Sequence, residues 1–123
     1  MQFTRIDHVA LDVSDLEASA SFYQKHFGFD RYNDYTTPTG LRIAYLKLGG
    51  TVLELVGERH GAMNGFHFCL ITDDFDTAVS TLKADGLPIV TAPHPTGARE
   101  PGEEGWRRVV FGGPDGEQIE IRG

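Results

Sequence analysis

The feature that most limits what this chain can fold into is that it contains its own pattern twice. Setting IDHVALDVSDLEASASFYQ (6–24) above GFHFCLITDDFDTAVSTLK (65–83) brings His8 onto His67, Leu11 onto Leu70, Asp15 onto Asp74 and Ser21 onto Ser80. Setting LRIAYLKLGGTVLELVG (41–57) above WRRVVFGGPDGEQIEIRG (106–123) brings Leu53, Glu54, Leu55 and Gly57 onto Ile119, Glu120, Ile121 and Gly123. The halves match in the same order, and such self-similarity constrains architecture more firmly than local propensity does.

Each copy reads as the same run of elements. Residues 5–13 alternate as a strand, and Ser14 with Glu17 three residues on has the pattern of a capping box that starts a helix. Leu16, Ala20, Tyr23 and Phe27 then share one helical face, and Gly28 supplies the permissive residue after its end. Strands follow at 30–36, 41–48 and 51–57, the last two joined by Gly49 and Gly50. The second copy gives a strand at 65–72, Asp73 as cap, and a helix over 74–85 with Phe75, Val79 and Leu82 inward. Strands at 88–92, 107–112 and 117–122 complete it, with a Pro-Asp-Gly turn at 114–116. The expectation is a single α+β domain over 1–123, built from an N-terminal βαβββ module (1–60) and a C-terminal one (61–123). Two such modules can curve toward one another and enclose a cavity. The extra residues of the second copy fall in TAPHPTGAREPGEEG (91–105), a loop without period that is either a surface insertion or a substrate-contacting element.

Composition narrows the partners. With 11 Lys and Arg against 18 Asp and Glu, the formal charge is -7, which argues against nucleic acid, whose phosphates are met by clustered basic residues. No window carries the run of apolar residues that a membrane span requires, and the N-terminus lacks the order of a signal peptide. A single cysteine, Cys69, excludes an intrachain disulfide and points to a reducing, cytoplasmic setting.

The repeat also singles out four polar residues. Glu120 lies between Ile119 and Ile121 on a half-buried strand, and a carboxylate near a core is costly unless something positive meets it. The duplication pairs it with Glu54 and pairs His8 with His67. Any one of these histidines alone reads more simply as a hydrogen-bonded strand residue. Two imidazoles and two carboxylates at equivalent places instead form a ligand set for a divalent first-row metal, which would supply the missing charge.

IDHVALDVSDLEASASFYQKHFGF, TVLELVG, GFHFCLITDDFDTAVSTLKADG and GPDGEQIEIRG together resemble the vicinal oxygen chelate superfamily of glyoxalases, methylmalonyl-CoA epimerases, extradiol dioxygenases and fosfomycin and bleomycin resistance proteins, over essentially the whole chain. The resemblance implies a half-barrel of paired βαβββ modules around a metal-binding cavity, assembled as a homodimer, with modules paired within one chain or swapped between two. It places the metal ligands on His8, Glu54, His67 and Glu120. The full His, Glu, His, Glu set looks most like the glyoxalase I branch, since epimerases of the family tend to carry Gln where this chain has Glu54. It implies a lyase or isomerase in which one divalent ion (Ni, Zn, Co, Mn or Fe) chelates neighbouring oxygens of a small hydroxycarbonyl or thiol-conjugate substrate and stabilises an enediolate. Glu120 is the first choice for the catalytic base and Glu54 the second. The alternatives are an acyl-CoA epimerase, an antibiotic-modifying enzyme of the same fold, or a non-catalytic resistance protein that binds a small molecule.

Other residues are candidates of lower weight. Arg42, Arg99, Arg107 and Arg108 are available to an anionic substrate, and alternation sends Arg107 and Arg108 to opposite faces. Tyr45, Phe68 and Trp106 are core residues or cavity walls. Cys69 shares the face of His67 and reads as a buried thiol. His26 suits a helix end, and His60 and His94 fall in loops.

Overall fold

The computed structural model describes residues 6–58, 66–98 and 101–123. The chain divides into two compact units, Met1–Gly61 and Ala62–Gly123. In the first, strand β1 (His8–Val13) is followed by helix α1 (Leu16–Phe27) and strands β2 (Asp30–Thr36), β3 (Arg42–Leu48) and β4 (Thr51–Gly57). In the second, strand β5 (His67–Ile71) is followed by helix α2 (Phe75–Ala84) and strands β6 (Ile89–Pro95), β7 (Arg107–Gly112) and β8 (Gln118–Arg122). The sheets have corresponding orders, β1-β4-β3-β2 and β5-β8-β7-β6. This is the α+β fold of two βαβββ modules. The first strand of each module runs parallel to the last, and the remaining pairs are antiparallel.

Strand alternation decides which face of each sheet is core. In the first module Leu11, Val13, Ala44, Leu46, Leu53 and Leu55 are buried together with Leu16, Ala20 and Tyr23 of α1. In the second, Phe75 and Leu82 of α2 are buried with Val109, Phe111, Ile119 and Ile121. Phe27 and Val79, expected on the inward helix faces, are half-buried at their margins. The candidate ligands fall on the opposite face of each sheet, among both polar and apolar neighbours.

Both helices start one residue later than the sequence signals suggested. The cap of α1 is Asp15, whose carboxylate accepts from the Ala18 amide at 3.0 Å, and the cap of α2 is Asp74, which accepts from Thr77 at 3.2 Å. Glu17, expected to close a box with Ser14, instead turns its carboxylate to Arg31 and Arg42, whose charges outbid a backbone amide. Gly28 ends α1 with φ of 75°, in the left-handed region.

The segment expected as a loop from residue 91 is strand as far as Pro95. Pro93 and Pro95 are tolerated because β6 is the outer strand of its sheet and pairs with β7 through two register shifts. The connection that follows is anchored: the Thr96 amide donates to the Trp106 carbonyl at 3.1 Å, and buried Arg122 donates to the Gly97 carbonyl at 3.2 Å and to Glu103 at 3.4 Å. Among the described residues, no helix is long and apolar enough to cross a membrane.

Candidate metal centre

The same register rule places a His beside a Glu in each module. In the first, His8 of β1 pairs with Val52 of β4, and Glu54 lies two residues further along β4, on the same face as His8. In the second, His67 of β5 pairs with Gln118 of β8, and Glu120 lies two residues further along β8. The tips meet accordingly: His8 Nε2 is 3.2 Å from Glu54 Oε2, and His67 Nε2 is 4.0 Å from Glu120 Oε2. Both carboxylates are mostly covered, whereas the imidazoles are exposed at the first strand of each sheet.

His8 carries a second contact. Its Nδ1 lies 3.0 Å from Asp7 Oδ2, and this hydrogen bond, supported by the charges of Glu54 and Asp7 against a desolvation that opposes them, raises the His8 pKa above its ordinary value. A proton held on Nδ1 by Asp7 leaves the Nε2 lone pair facing a carboxylate oxygen. Two lone pairs at that separation repel unless a cation sits between them, either a second ring proton or a metal ion. A carboxylate behind the distal nitrogen is also how metal-binding histidines are oriented. Ligands bonded at 2.0–2.1 Å and at right angles stand about 3.0 Å apart, close to the His8 to Glu54 separation. The donor set therefore fits a divalent cation. Each module contributes two donors, and among the described residues no three His, Cys, Asp or Glu side chains gather into a site able to hold a metal ion.

Glu120 does not lack a basic neighbour, as the sequence reading had supposed. Arg108 Nε donates to Glu120 Oε1 at 2.8 Å, and Arg122 Nη1 stands 3.8 Å from the same oxygen. The neighbour was visible in the sequence: Arg122 follows Glu120 by two residues and so shares its face. His94, expected in a loop, lies in β6 with Nδ1 against the Ala92 carbonyl at 2.9 Å, so that Nε2 can accept from Arg108 at 3.5 Å. Of the candidate arginines among the described residues, Arg108 alone stands beside a proposed ligand. Arg107 turns to the helix side, where it binds Asp76 at 2.8 Å and covers the Phe75 ring. Arg42 goes to Glu17, and Arg99, like His60, lies outside the described residues.

Tyr45 of β3 pairs with Glu54 across the sheet and lies on its face, whereas alternation sends Phe68 to the face opposite His67. Trp106 is half-buried just before β7. Cys69 shares the His67 face but is exposed on the outer strand of its sheet, not a buried thiol. Sequence reasoning passed over Asp7, Lys47 and Tyr32, which stand around the first pair.

This fold and these paired donors define a recognisable class. The glyoxalase/bleomycin resistance protein/dioxygenase superfamily profile matches residues 5–121, and the chain belongs to that superfamily. Human mitochondrial methylmalonyl-CoA epimerase is 32% identical over 92 residues, covering 64% of this chain and 52% of the human protein. The chain spans roughly half to three-fifths of the length of the curated relatives it matches. Among solved structures, TnmS3, an antibiotic binding protein from Streptomyces sp. CB03234, superposes with a TM-score of 0.75 at 26% identity over 98% of this chain and 96% of its own. The fosfomycin resistance protein FosX from Listeria monocytogenes, solved as an E126Q mutant with Mn(II) and a dihydroxypropylphosphonic acid, superposes at 0.71 with 18% identity over 98% and 92%.

Proposed function

We propose that the chain is a metal-dependent lyase or isomerase of the glyoxalase type, holding one divalent ion through His8, Glu54, His67 and Glu120. The observation that carries this reading is the matched register of the two His–Glu pairs, one from each module. When bound, the ion supplies Lewis-acid polarisation of a substrate carbonyl. The chain supplies the rest. A carboxylate must take the proton from the carbon beside that carbonyl and return it to the same or the neighbouring carbon. Glu120 is restrained by its charge-assisted bond from Arg108, whereas among the described residues no arginine or lysine forms an ion pair with Glu54, which lies beside His8 and opposite Tyr45. This favours Glu54 as the proton-carrying group, reversing the order of preference drawn from sequence.

Elemental analysis of protein expressed without added metal should find about one divalent ion per chain, and chelation should abolish isomerisation of α-hydroxycarbonyl substrates. Activity unchanged after complete removal of the ion would reject the proposal. A second reading is favoured by the curated relatives, which are epimerases. Proton return to the same carbon of an acyl-CoA would give solvent-deuterium incorporation without net conversion, and that result would select it.

A further inference from the structure

Beside the first His–Glu pair the sheet of the N-terminal module carries a hollow of about 420 Å³, lined by Asp7, Tyr32, Tyr45, Lys47, Val52 and Glu54 together with the Gly49–Gly50 turn. That is enough volume for a small ligand. Its composition is specific. Tyr32 and Tyr45 hold their rings 6.2 Å apart at 51°, and Tyr32 is 43% exposed, so a large ring surface is left unpacked at the hollow. The Lys47 ammonium stands 4.4 Å over the Tyr32 ring, and among the described residues no carboxylate forms an ion pair with it. An ammonium resting on a ring face is held weakly at an exposed site and is available to an incoming anion. The Tyr45 phenol also lines the hollow and carries an O–H able to donate to a ligand.

The register sets the size of what fits. Lys47 pairs with Val52, two residues from Glu54 on β4, so the lysine and the glutamate are diagonal neighbours, about 7–8 Å apart at the backbone. One six-membered ring with substituents at opposite ends bridges such a span. We infer that this hollow is the substrate subsite of the N-terminal module and that it selects a planar aromatic carbonyl compound, its carbonyl toward Glu54 and an anionic substituent toward Lys47. The inference rests on the metal-site reading for the direction of the carbonyl, but the preferences for a planar ring and for an anion rest on the hollow alone.

Three probes separate these preferences: 4-acetylbenzoate, the uncharged 4-methylacetophenone, and the saturated 4-acetylcyclohexanecarboxylate, each titrated calorimetrically into the full chain. Acetylbenzoate should bind about three- to tenfold tighter than either analogue. Lys47→Met should remove the advantage over the uncharged ketone and leave the advantage over the saturated acid. Tyr32→Leu should do the reverse. Both positions are exposed, so neither variant threatens folding. Equal affinity for the three probes, or preferences unchanged in both variants, overturns the inference. Metal content measured on the same protein tests the metal reading separately, because the ratios among probes are read whether or not an ion is bound.

Discussion

The two modules share a backbone plan and differ in what surrounds the carboxylate that each contributes. Opposite Glu54 on β3 stands Tyr45, with Lys47 one step along that face; opposite Glu120 on β7 stands Val110, with Gly112 in the lysine's place. In the other direction the apolar pair Ile43 and Val56 of the first module holds the places of Arg108 and Arg122 in the second. The donors are kept in register while their flanks have exchanged character. One carboxylate is left beside rings and an ammonium that, among the described residues, forms no ion pair, a surface suited to something outside the chain. The other is tied to Arg108 and stands near Arg122, which also binds the β6–β7 connection through Gly97 and Glu103. One half is arranged for contact and the other for fixation.

The largest effect that could break this comparison is catalytic. Glu54→Gln should lower solvent-deuterium exchange into a bound carbonyl substrate by about 10²–10⁴-fold, the range of a lost general base, with metal content retained because an amide oxygen remains. Glu120→Gln, which keeps an amide oxygen in the same way, should lower exchange far less, with metal content measured on the same samples. If exchange fell in Glu120→Gln with metal retained, and survived in Glu54→Gln, the arginine contact would not mark fixation and the roles of the halves would be reversed.

The next effect is on stability. Glu120 is 8% exposed, so Arg108→Met takes the hydrogen-bond donor from a buried carboxylate, leaves it to the more distant Arg122 at 3.8 Å, and should cost roughly 1.5–3 kcal/mol in urea unfolding at neutral pH. The double variant Arg108→Met, Glu120→Gln should recover much of this loss, because no buried charge is then left unpaired. A double variant as unstable as the single one would assign the cost to lost packing of the arginine stem and leave Glu120 unconstrained.

These contrasts explain what the sequence disclosed and what it hid. The repeat exposes the two βαβββ modules because both copies must bury one face of a sheet, so Leu53 and Leu55 recur as Ile119 and Ile121. It exposes the four donors for the same reason, since equivalent positions on equivalent strands face the same way. Even the correct helix caps were present in it, as the pairing of Asp15 with Asp74, although single-residue signals pointed one position earlier. What it hid are features that break the repeat. Arg108 and Lys47 have no counterpart in the other copy, and their neighbours across the sheet follow only from strand pairing. Pro93 and Pro95 read as loop until their strand is known to be outermost.

The smallest effect concerns the helix starts and again separates the halves. In the first module Glu17 sits between Arg31, at 2.7 Å, and Arg42, at 2.7 Å, and hydrogen bonds from these two guanidiniums push its carboxyl pKa down from 4.5 to about 2. In the second module the matching residue, Asp76, meets Arg107 at 2.8 Å. A carboxylate whose folded pKa is depressed contributes stability that is present above its unfolded value and is lost as pH falls toward the folded one. The first module should therefore lose the contribution of Glu17 progressively between pH 4.5 and about 2. Glu17 is 58% exposed, so the loss is small and screened by salt. Amide exchange read separately along α1 and α2 during acid titration should show α1 losing protection in that window in the native chain, and much less of that loss in Glu17→Gln. A window unchanged by the substitution would mean that the two arginines are tethered by Asp34 and solvent, and that the halves titrate alike.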